Sequence, residues 1–212
     1  MKKVREIKKR GIASWMGALL VMFLLNMPGQ AAAQQAVFED NFDDGKSLEA
    51  LGYRPGAAQG MSERPVISSD RSASGENSVF FAVKQLNLRK KFDNVGVPNA
   101  TVEWKVNLPE MGGSFGISLY NGRDAVVKTN MFSKNLIYMN DANEKNTLAP
   151  YKANEWITVR IAITGNKYNV YMNDKLVGEN IPTLGGQTKV NTIFYSVGNK
   201  AAYIDDVRVL RN

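Results

Sequence analysis

The residues best suited to chemistry are carboxylates gathered near the two ends of the chain that follows residue 33. Asp40 and Asp43 lie in Phe38-Glu39-Asp40-Asn41-Phe42-Asp43-Asp44-Gly45, and Asp205 and Asp206 lie in Ala202-Tyr203-Ile204-Asp205-Asp206-Val207-Arg208-Val209. Asp40 shares its strand phase with Phe38 and Phe42, which turns a carboxylate toward the side those rings bury. A buried carboxylate needs a cation, or hydrogen bonds and basic partners, to offset its lost hydration. If the first and last segments are neighbours, the four carboxylates converge. Calcium suits such a set, since it takes about six to eight oxygen ligands and needs neither cysteine nor histidine. The alternative is that these acids cap turns and carry surface charge.

A second set is polar and lies opposite the apolar phase of its strands: Lys105, Ser118, Tyr120, Arg160, Asn169 and Tyr171. Rings that cover the apolar face of a sugar, with amide and charged groups for its hydroxyls, make a carbohydrate-binding surface. Solvent-facing strand positions favour tyrosine in any case. The chain contains no histidine and no cysteine. Ser-His-Asp and Cys-His catalysis, thiolate metal sites and disulfides are therefore excluded. There is also no phosphate-binding loop and no dinucleotide fingerprint.

The elements that position these residues read as strands. Val102, Trp104, Val106 and Leu108 alternate with Glu103, Lys105 and Asn107, and Phe115, Ile117 and Leu119 alternate with Ser118 and Tyr120. Further strands are expected at Val79-Phe81-Val83, Asn135 to Met139 and Thr192 to Val197. From Trp156 to Gly178 the alternation is interrupted at Gly165-Asn166 and Asn173-Asp174, both suited to tight hairpin turns, which predicts a three-stranded meander. Ile204 is in even phase and Val207 and Val209 in odd phase, which predicts a β-bulge near Asp205-Asp206. Gly56 to Gly75 is the least patterned stretch and reads as a long surface loop. Trp104 and Trp156 read as structural. Short strands with turn punctuation and one buried face point to an all-β fold: a two-sheet antiparallel β-sandwich of the jelly-roll type over residues 34–212.

Residues 1–33 read as a cleavable signal peptide. A basic start (Lys2, Lys3, Arg5, Lys8, Lys9, Arg10) is followed by an apolar run and by Ala31-Ala32-Ala33. The strict apolar core, Trp15 to Leu25, is about half the roughly 20 residues that a membrane-spanning helix needs. The expected location is therefore secreted, periplasmic or cell-surface, with no membrane span after cleavage. Of 27 basic and 20 acidic residues, the signal carries six basic ones and Glu6, leaving 21 and 19, a net charge of +2. The apparent basicity is thus mostly targeting sequence, and nucleic acid is not an expected partner.

Asn154-Glu155-Trp156-Ile157-Thr158-Val159-Arg160-Ile161, Tyr168-Asn169-Val170-Tyr171-Met172-Asn173-Asp174-Lys175 and the two acidic end segments resemble the concanavalin A-like jelly roll of laminin-G-type and carbohydrate-associated domains. The resemblance implies paired first and last strands and, in many such domains, a structural calcium between them. For an exported jelly roll with the polar strand surface described above, the expected partner is a polysaccharide or cell-surface glycan. Glycosidases of this fold commonly carry Glu-x-Asp-x-x-Glu on one strand, and that pattern is absent here. The expected function is non-catalytic glycan binding, with a polysaccharide-active hydrolase or lyase and a protein-interaction domain as the alternatives.

Overall fold

Runs of β-branched and aromatic residues alternating with polar ones fit a pleated surface with one dry face. The computed structural model, which describes residues 34–82 and 85–212, builds from them two large antiparallel sheets. Residues 1–33, read above as a signal peptide, lie outside the described residues. The first sheet has the order β14 (Lys175–Pro182), β13 (Lys167–Met172), β12 (Trp156–Thr164), β7 (Ala100–Asn107), β17 (Ala202–Arg211), β4 (Ser78–Phe81) and β3 (Val66–Ser68), and β1 (Gln35–Asp40) also pairs with β17. The second runs β11 (Lys145–Pro150), β10 (Asn135–Met139), β9 (Asp124–Phe132), β8 (Ser114–Asn121), β16 (Thr192–Val197), β5 (Leu86–Lys91) and β2 (Tyr53–Ala57). Among the described residues no helix is long and apolar enough to cross a membrane.

The core lies between the sheets. Val102, Trp104 and Val106 of β7 and Ile157, Val159, Ile161 and Ile163 of β12 meet Phe115, Ile117 and Leu119 of β8 and Ile193, Tyr195 and Val197 of β16, all almost fully buried. Phe81 of the first sheet meets Phe115 of the second edge-on, with ring centroids 5.8 Å apart. Each fully buried Val, Leu, Ile or Phe side chain stabilises such a core by roughly 1.5–3 kcal/mol. Trp104 packs in this core, as its phase predicted, and Trp156 is half-buried at the start of β12.

The predicted meander is β12, β13 and β14, joined at Gly165-Asn166 and Asn173-Asp174. Asn173 and Asp174 take φ of 49° and 61°, the left-handed values that a tight hairpin turn demands. The first and last strands do pair, with Gln35 opposite Arg211 and Asp40 opposite Val207. The expected loop from Gly56 to Gly75 is corrected: Gly56–Ala57 end β2, and β3 lies wholly inside the segment. Both strands are short, and Pro55-Gly56 removes from β2 the alternation that would have revealed it.

β1 and β4 lie end to end along one edge of β17, opposite Val207–Arg211 and Ala202–Ile204 respectively. Asp205 and Asp206 fall in the gap. On the other edge Asp205 is opposite Lys105 and Arg208 opposite Glu103, so β17 carries one extra residue here, and Asp206 takes a φ of 47°. This is the predicted bulge. It lets Ile204 and Val207 both face the core.

Candidate functional site

Three of the four expected carboxylates, Asp43, Asp205 and Asp206, meet the loop between β3 and β4, and Asp40 does not. Asp205 is fully buried, and its Oδ2 accepts the backbone N–H groups of Ala73 at 2.7 Å and Ser74 at 3.2 Å, while Oδ1 accepts that of Asp206 at 2.7 Å. Asp206 accepts the Ser74 hydroxyl on Oδ1 at 2.5 Å and pairs with Lys105 Nζ at 2.7 Å. Asp43 Oδ1 accepts the N–H groups of Glu76 and Asn77, both at 2.9 Å, and Asp40 Oδ1 accepts that of Phe42 at 2.9 Å. Burial lifts the Asp40 carboxyl above its ordinary range and pushes that of Asp205 up to about 6, with three N–H donors pulling the other way. Of the two ways to compensate a buried carboxylate, hydrogen bonding is the one seen here. Among the described residues no three carboxylates gather in a way that would hold a metal ion. As they stand, Asp40, Asp43, Asp205 and Asp206 do not fit a calcium cage; Asp43, Asp205 and Asp206 hold the β3–β4 loop, and Asp40 closes its own turn at Phe42.

The six polar residues expected to bind sugar divide between opposite faces of the sandwich. Lys105, Arg160, Asn169 and Tyr171 sit on the outer face of the first sheet, where each is already engaged. Lys105 pairs with Asp206, and Arg160 contacts Glu103 at 3.6 Å and lies 3.8 Å from the Tyr171 ring centroid. Asn169 Oδ1 accepts the N–H of Asn180 at 2.8 Å. Glu103 also holds Arg208 at 2.7 Å. An open cleft of about 970 Å³ beside β1 is lined by Asp40 and by three ion pairs, Glu103–Arg208, Lys105–Asp206 and Asp44–Lys46.

Ser118 and Tyr120 project from the outer face of the second sheet, which is built differently. Strand register places Gly56, Asn87, Ser196, Gly116, Asn130, Ile137 and Thr147 opposite one another in turn, one from each of the seven strands. The row crosses the sheet at right angles to the strands, about 29 Å at roughly 4.8 Å per strand spacing. It is low because its neighbours fold into the glycines. A Cβ on Gly116 would sit 2.9 Å from Ser196 Oγ and 3.4 Å from Asn130 Nδ2, and one on Gly56 would sit 2.6 Å from Asn87 Oδ1. Asn130 Nδ2 donates to Ser114 Oγ at 3.0 Å, which orients its amide.

The next row holds Arg54, Arg89, Phe194, Ser118 and Lys128 in register. Phe194 meets Tyr120 edge-on at 6.3 Å, and the two rings with Arg89 and Arg123 line a hollow of about 290 Å³. The face is therefore a trough of amides and small residues beside an aromatic pair. Sequence reasoning reached only Ser118 and Tyr120 of this set. The phase of Phe194 and Ser196, opposite Ile193, Tyr195 and Val197 in an expected strand, was the signal that could have added two more.

No family model matches the sequence, and no curated protein sequence does. Solved structures do share the architecture. A sialidase superposes with a TM-score of 0.66 at 12% identity, over 84% of this chain and 19% of its own, so this chain spans about a fifth of that protein. Domain 4 of AbnA, a GH43 extracellular arabinanase from Geobacillus stearothermophilus solved in complex with arabinotriose, superposes with a TM-score of 0.61 at 12% identity, over 84% of this chain and 93% of that one. An endo-β-1,3-glucanase from Pyrococcus furiosus gives 0.60 at 10% identity, over 84% and 94%. Likeness at such identity is likeness of fold, and by fold this chain is a concanavalin A-like jelly-roll sandwich.

Proposed function

We propose that the protein binds a carbohydrate chain along the outer face of the second sheet and does not cleave it. The observation that carries this is the transverse row from Gly56 to Thr147 with the Phe194–Tyr120 pair beside it. A linear polymer lying in that row meets amides and hydroxyls in succession and an aromatic edge on one flank. The arabinotriose-bound arabinanase domain, which this chain covers almost completely, supports reading such a sandwich as a sugar-binding module. Cleavage by hydrolysis needs two carboxylates flanking one bond. The strands of this sheet carry a single acidic residue, Asp124, at the first position of β9.

With residues 1–33 acting as a signal peptide, this binding takes place outside the cytoplasm, and the mature protein starts at Gln34. N-terminal sequencing of the exported form tests that point. A glycan array paired with a reducing-sugar assay tests the function. Binding without new reducing ends is expected. Release of reducing ends would make the protein an enzyme, and silence in both assays would overturn glycan recognition altogether.

A further inference from the structure

Charge is divided unequally between the two sheets. Within strands, the first sheet carries Glu39, Asp40, Glu103, Glu179, Asp205 and Asp206, whereas the second carries Asp124 alone. The cations that the strands of the second sheet place on its outer face are Arg54, Arg89, Lys91, Lys128 and Lys145, the last lying over the Phe132 ring. None of them takes part in an ion pair among the described residues, whereas on the opposite face Lys105, Arg160 and Arg208 do and Lys167 does not. Arg54 and Arg89 stand directly opposite each other on adjacent strands, both exposed. Like charges in that position repel and cost stability, and among the described residues no carboxylate forms an ion pair with either.

We infer that the glycan recognised by this face is an acidic polysaccharide, whose carboxylates are held by Arg54 and Arg89, with Lys128 farther along the same row. This rests on the glycan-binding reading above and names its ligand class. The guanidinium group suits the task, since its planar fork takes a carboxylate through two parallel hydrogen bonds. The arrangement also supplies what a bare polyanion site lacks: Phe194 lies between Arg89 and Ser118 in the row, so a ring is set for the sugar beside the charges that hold its acid group.

The test is calorimetric titration with oligomers of polygalacturonate, alginate and hyaluronate, and with the methyl esters of the same chains, which keep the sugar and remove the charge. At least one acid chain is expected to bind at least tenfold more tightly than its ester, with affinity falling as salt rises. Arg54→Ala/Arg89→Ala should lose at least tenfold for that chain, and Lys175→Ala on the opposite sheet should lose nothing. Melting curves show whether the double variant is folded; if it is not, Arg54→Gln and Arg89→Gln singly carry the same expectation. Equal binding of acid and ester, or of a neutral glucan, would overturn the acidic preference and leave glycan binding standing. Equal binding of single-stranded DNA would overturn it as mere polyanion attraction. Absence of binding by every chain, charged or neutral, would overturn both readings.

Discussion

The carboxylate of Asp205 accepts the backbone N–H of Ala73 at 2.7 Å, so a fully buried acid on the last strand anchors a loop 132 residues away in sequence. Burial raises its carboxyl from the ordinary 3.8 to about 6, against the three N–H groups that favour the charge. The folded protein therefore holds this proton more tightly than the unfolded chain. The group's stabilising contribution is fully present below about pH 4 and is lost as pH rises through about 6. Asp205→Asn removes that dependence. Urea unfolding at several pH values should show wild type losing stability relative to Asp205→Asn between pH 4 and pH 6. A difference that stays flat would mean that Asp205 keeps an ordinary affinity for its proton. Asp205→Ala should cost about 1–3 kcal/mol below about pH 4, since it leaves the Ala73 and Ser74 N–H groups without an acceptor, and less as pH rises through about 6.

At Asp206 backbone conformation outweighs charge. Its pair with Lys105 is partly exposed and contributes less than about 1 kcal/mol, whereas its φ of 47° would cost a branched residue more. Asp206→Gly should stay within about 1 kcal/mol of wild type and Asp206→Val should lose roughly 2 kcal/mol. Equal losses in chemical denaturation would show that the ion pair matters more than the bulge.

That bulge was legible in the sequence because Ile204 and Val207 cannot both be apolar and inward on a regular strand. The meander was legible for a similar reason, its alternation being broken only by residues that accept positive φ. The candidate site was far less so. β5 reads Leu-Asn-Leu-Arg-Lys-Lys, whose last three residues hide two core leucines, and the site row is completed only where the consecutive strands β8 to β11 pair with β16, β5 and β2, which are distant in sequence. Lys105 and Tyr120 look alike as polar residues on alternating strands. Only the topology, which sends β7 to one sheet and β8 to the other, puts them on opposite faces.

The acid-rich ends also bear on calcium. With Asp43, Asp205 and Asp206 accepting N–H groups and Lys105 beside them, a cation would have to displace partners already in place. Calcium added to chelator-treated protein is therefore expected to leave the melting temperature unchanged and to release no heat. A saturable rise that Asp43→Asn abolishes would place a cation at the loop.

Gly116 gives the sharpest test of the trough, because its missing side chain is what lets Ser196 and Asn130 lean into the row. An added methyl group would meet Ser196 Oγ at 2.9 Å and Asn130 Nδ2 at 3.4 Å, both ends of side chains that can turn away. Gly116→Ala should accordingly fold, with a stability within about 1 kcal/mol of wild type, since Ala also relieves the entropic penalty of a strand glycine. The displaced hydroxyl and amide are those that line the middle of the proposed binding surface. Carbohydrate affinity should therefore fall roughly tenfold, about 1.4 kcal/mol. Unchanged affinity with a normal melting curve would move the binding surface off the second sheet, because no ligand could lie in this row without meeting the new group.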